Sequence, residues 1–139
     1  MRSTRNNMAG LRAIVGRQKI GASDAADIEL PVRIHFEAIH RGEGTAAGEN
    51  FVVFTVMTGL VVANSIKSRL LYDIGFAAYE ALRRASERPT PVLTLTTGEF
   101  KAVCAFFKSY FSLLPSLDLK TLHGAALVAA QQLERSKAA

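Results

Sequence analysis

Thirteen consecutive residues decide what kind of fold is open to this chain. The stretch FVVFTVMTGLVVA, Phe51 to Ala63, carries no charge and is relieved only by two threonines and a glycine. Read as a helix, its apolar side chains Phe51, Phe54, Val56, Met57, Leu60, Val61 and Val62 cover most of the circumference. A helix apolar nearly all round has to be surrounded by other elements. A membrane span needs about twenty such residues, whereas runs of about 10–14 are more often core helices. Asn50 and Asn64 close this one off. The β-branched content makes a strand the rival reading; a capping threonine, Thr45, and a length beyond a dozen residues favour helix. A central helix of this kind predicts a helical bundle around it.

The flanking segments supply the rest of that bundle. Pro31 suits the first position of a short helix that places Val32, Phe36 and Ile39 on one face and stops at Gly42. After the central helix, Ser65 is a candidate cap. Ile66, Leu70, Ile74, Ala77, Ala81 and Ala85 then form a stripe at helical spacing that ends before Pro89 and Pro91. Gly75 in the middle of that helix suggests a close packing contact. Val92, Leu93 and Leu95 form either a short strand or an extended crossing. Thr96 and Glu99 make a capping box, and Phe100, Val103, Cys104, Phe107, Phe111 and Leu114 follow on one face, with Phe106, Tyr110 and Leu113 as a second apolar edge. Ser116 caps a last helix with Leu119, Leu122, Ala126, Ala129, Ala130 and Leu133 inward. Short connections make sequential helices antiparallel neighbours. The expectation is an all-α, up-and-down bundle of four to five helices over residues 30–139, preceded by a flexible basic arm over residues 1–29.

Charge is distributed unevenly. Of the net +5, residues 1–23 supply all of it through Arg2, Arg5, Arg12, Arg17 and Lys19, with no acid. The remaining residues hold twelve bases and twelve acids. A basic tail on a neutral body attracts nucleic acid, anionic lipid or acidic protein surfaces. Its acid-free, arginine-containing composition also has the look of an organelle transit peptide, and it lacks the continuous apolar region of a secretory signal. Lys67, Arg69, Arg83, Arg84 and Arg88 extend the basic patch, interrupted by Asp73 and Glu80. No recognition-helix pattern stands out.

Little in the chain points to chemistry. His35, Glu37 and His40 are the only local group of metal-ligand types, and histidines five apart on a helix diverge instead of sharing a face. His123 stands alone. The single cysteine, Cys104, lies on an apolar stripe, which predicts a buried thiol in a reducing compartment. No nucleophile elbow, zinc-protease, phosphate-loop or dinucleotide signature occurs. No metal, cofactor or catalytic residue is expected. The two-sided apolar helix 97–114 instead suggests an interface built on Phe106, Tyr110 and Leu113, and with it a homodimer.

The segment RIHFEAIHRGEGTAAGENFVVFTVMTGLVVAN, through His35, Ala38, Gly42, Thr45, Leu60 and Ala63, together with TLTTGEFKAVCAFFKSYFSLLP, resembles small helical proteins of unknown function from phages, plasmids and integrated elements of proteobacteria. The resemblance spans residues 30–135. It departs at Phe51–Phe54, where that family has a more polar first turn. It implies a cytoplasmic, non-enzymatic accessory protein and brings no catalytic residues. Together these features predict a protein associated with nucleic acid through its basic N-terminal arm. The alternative is a protein–protein interaction module, an inhibitor or adaptor of a mobile element, acting through the aromatic helix 97–114.

Overall fold

A computed structural model of the chain describes residues 18–138, with side chains through residue 136. Within them five α-helices form an all-α bundle: α1 (Gly21–His40), α2 (Ala46–Ser65), α3 (Arg69–Glu87), α4 (Thr97–Leu113) and α5 (Leu119–Ala138), with a 3-10 turn at Leu114–Ser116 before α5. Helix α2 contains the apolar run and is central. It packs against α1, α3 and α5, while α4 packs mainly on α3 and only lightly on α1. Sequential helices from α1 to α4 are neighbours, but α5 returns to α2 instead of lying on α4.

Helix α1 begins at Gly21, ten residues before the expected start at Pro31. Residues 21–29 are thus helix and belong to the folded body. Pro31 lies inside the helix on an exposed position, where the bond it cannot donate to the Asp27 carbonyl is replaceable by water. Burial of Ala25, Val32, Phe36 and Ile39 holds the helix across that gap. No side chain caps its start; a backbone clamp does the work instead. Ile20 N–H donates to the Leu117 carbonyl (3.0 Å) and Leu119 N–H to the Gln18 carbonyl (2.9 Å), with Ile20 buried beneath them.

Thr45 caps α2, accepting from the Gly48 N–H at 3.1 Å, and Thr96 and Glu99 form the expected capping box on α4. The α2–α3 boundary falls later than Ser65. Helix α2 runs through Ser65 and ends in a Schellman turn: Lys67 takes a positive φ of 56°, its N–H donates to the Asn64 carbonyl (3.2 Å), and Ser68 N–H donates to the Ala63 carbonyl (2.9 Å). Ser68 then caps α3. The segment 88–96 is an extended crossing without strand pairing, pinned where Leu93 N–H donates to the Glu49 carboxylate at 2.9 Å. Ser116 does not cap α5; its hydroxyl donates back to the Leu113 carbonyl.

The centre of the packing is Phe106. A Cβ placed on Gly59 of α2 would overlap its ring, and one on Gly75 of α3 would stand 3.5 Å from it. Gly59 therefore opens the slot that admits the Phe106 ring, while Gly75 gives room to the Leu60 side chain of α2, 3.0 Å from where its own Cβ would stand.

Candidate functional site

The sequence marks two candidate surfaces. Arg2, Arg5, Arg12 and Arg17 of the basic stretch lie outside the described residues. Lys19, the fifth, lies within the folded body, its ammonium 2.8 Å from the Asp118 carboxylate at the foot of α5. The pair is exposed, so it adds little to stability, but it orients Lys19 along the backbone clamp.

The aromatic surface needs a larger correction. Phe106 and Tyr110 are 0 % and 2 % exposed, stacked on each other at 5.2 Å between ring centroids, and Leu113 is half-buried. Burial pushes the Tyr110 phenol pKa well up. Phe106 lies against Gly59 of α2 and Gly75 of α3, and neither it nor Tyr110 is available to a partner. Most of the second apolar side of α4 is thus buried within the chain itself.

Phe107 and Phe111 on the other side of α4 are buried too, and only the polar flank beside them is open. Because α4 and α1 meet only lightly, a groove of about 360 Å³ runs between them. Phe36, Phe107 and Phe111 line its floor, with Cys104, and Glu29, Arg33, Glu37, Lys108 and Ser112 its rim. The floor is fixed by packing: Phe36 meets Phe107 edge-on at 5.1 Å and stacks on Phe100 at 5.2 Å, while Phe107 stacks on Phe111 at 5.2 Å. Arg33 pairs with Glu29 and lays its guanidinium 5.4 Å from the Phe111 ring centroid. The rim carries two acids and two bases and so has no net charge. A visible signal for it was the charged row Glu29, Arg33, Glu37 at fourfold spacing beside Phe36.

Burial raises the Cys104 thiol pKa, and Glu37 raises it further, so the thiol stays protonated at neutral pH. The histidines flanking Glu37 part company: His35 meets Phe51 of α2 at 5.4 Å, and His40 stacks on Phe100 of α4 at 4.1 Å. Among the described residues no three of His, Cys, Asp and Glu come together to hold a metal ion.

One buried carboxylate is strongly perturbed. The Glu99 side chain is 6 % exposed and takes both guanidinium nitrogens of Arg88, one at 2.9 Å, with the Thr96 N–H at 2.9 Å. Paired with Arg88, its carboxyl falls from an ordinary 4.5 to about 2. Every partner of Glu99 belongs to the crossing or to its flanking helices, so the cluster is a fastening for residues 88–96.

Helix α2 is long and apolar enough to cross a membrane by length and composition, and half of its apolar window is buried inside the bundle. Comparison of the chain with protein-family models, with curated proteins and with solved structures returns no match.

Proposed function

We propose that this chain is a non-enzymatic accessory protein that binds nucleic acid through its basic N-terminal stretch. The observation that carries the reading is charge segregation. Residues 1–17 hold four arginines and no acid. In the described body Arg33, Arg41, Arg69, Arg83, Arg84 and Arg88 each stand within ion-pair distance of a carboxylate. The patch once expected on α3 is thus largely neutralised by Asp73, Glu80, Glu87 and Glu99. A cluster of about four cations engages phosphate without reading bases, and its affinity falls steeply with salt. This reading implies the cytoplasm as its compartment.

The test compares the full chain with a version that starts at Gln18, which keeps the backbone clamp and Ile20 in place. Duplex DNA binding is measured across a salt series. The expected outcome is binding by the full chain with a log–log salt slope no steeper than about −4, and none by the shortened one. Equal binding by both, or by neither at low salt, overturns the reading.

A protein-interaction role is the second reading, and the groove between α1 and α4 supports it. Its exposed rim of Arg33, Glu37, Lys108 and Ser112 suits a polar peptide segment of mixed charge. Lys108→Glu on the rim should weaken such a partner and leave DNA binding at the full-chain level.

A further inference from the structure

Helix α1 carries a second stripe, opposite its core face. Leu30 and Ile34 are 60 % and 58 % exposed, while Ala25, Val32, Phe36 and Ile39 on the other side are buried. The stripe continues to Asp27 before them and to half-buried Ala38 and exposed Arg41 after them. The steps along Asp27, Leu30, Ile34, Ala38 and Arg41 are three, four, four and three residues. That series is a palindrome centred on Ile34, and every step keeps to one face of a helix.

We propose that this face binds a second copy of the chain, with two α1 helices lying antiparallel about a twofold axis at Ile34. A twofold contact is isologous, so each residue meets the one equally far on the other side of the axis. Ile34 then meets the partner's Ile34, Leu30 meets the partner's Ala38, and Asp27 faces the partner's Arg41 at both ends. The apolar residues lie at the centre and opposite charges at the rim, in the manner of a helix–helix seam.

Charge favours this register over a parallel pairing and over the neighbouring antiparallel one, and Arg33, the other base near the face, is already paired with Glu29. Parallel helices would set Asp27 against Asp27 and Arg41 against Arg41. An antiparallel pairing of Leu30 with the partner's Ile34 would set Asp27 against the partner's Glu37. Within its own chain Asp27 has no ion pair among the described residues, and Arg41 has only an exposed contact with Glu43 at 3.3 Å. Both are thus available to the partner at little cost. Two large apolar side chains per copy make a small contact, so association is concentration-dependent. This interface replaces the one expected on Phe106 and Tyr110, and it does not rest on the nucleic-acid reading.

Sedimentation of the full chain over a concentration series tests it. The mass should rise from 15.0 kDa toward twice that value, and Ile34→Asp should keep the chain monomeric with its helical circular dichroism intact. Asp27→Arg and Arg41→Asp should each weaken association at least several-fold, and the double variant should restore it. In a Cys104→Ser background, Ile34→Cys should oxidise to a disulfide-linked dimer much faster than Leu30→Cys, because only position 34 faces itself. A monomer at every soluble concentration overturns the proposal. So does association indifferent to Ile34→Asp, a double charge variant no better than the singles, or equal crosslinking at positions 30 and 34.

Discussion

A methyl group at Gly59 has no room while the Phe106 ring holds its place. Gly59→Ala should therefore destabilise the fold by about 1–3 kcal/mol through overpacking, even though alanine is the better helix former. Chemical denaturation measures this, and Phe106→Leu in the same background should recover part of the loss. Glu99 gives a second handle at this scale. Its folded carboxyl titrates at about 2, below the ordinary 4.5. It adds stability that is complete above about pH 4.5 and is lost as pH falls toward 2. Glu99→Gln should cost about 1–3 kcal/mol near neutrality, less than a fully buried pair because Arg88 is partly exposed. It should also flatten the acid limb of a stability–pH profile between about pH 5 and 2. The capping role of Glu99 was legible in TTGE, since a capping box is a local pattern. Its clasp on Arg88, eleven residues earlier, was not, because the turn that brings them together belongs to the crossing.

Elements were read best where one segment carries all the information. The all-round apolarity of Phe51–Ala63 identified the central helix without reference to anything else. Boundaries were read worst where the signal used was not the usual one. The αL position that ends α2 is filled by Lys67 where glycine is common, and so Ser65, three residues too early, looked like the next cap. Lys67→Gly should remove the strain of that conformation and raise stability by up to about 1 kcal/mol, seen as a higher Tm. The start of α1 was hidden for a related reason: it has no side-chain cap, and Pro31 imitates a first residue. The two-sided α4 was recognised, but the room that lets Phe106 into the core is provided by Gly59 on another helix. No pattern within α4 distinguishes Phe106 from Phe107.

At the scale of the molecule, the start of the described body is fastened to the foot of α5. Ile20 packs beneath the clamp that joins residues 18–20 to residues 117–119, and Lys19 reaches Asp118 across 99 residues of chain. A version starting at Gln18 should melt with the full chain. One starting at Asp24 loses the clamp and buried Ile20, and should be less stable by about 1–3 kcal/mol in thermal or denaturant unfolding.

That clamp has a further consequence in time. Helix α1 leaves the ribosome before the other described helices, yet the Leu117 carbonyl and Leu119 amide that fix its start lie at the foot of α5. At about 5–20 residues per second, roughly 5–20 s of synthesis separates the two. Throughout that interval the Ile20 N–H lacks the Leu117 carbonyl and the Gln18 carbonyl lacks the Leu119 N–H. The clamp at the start of α1 therefore cannot close before residues 117–119 have been made, and until then the first turn depends on the packing of Ala25, Val32, Phe36 and Ile39 further along the helix.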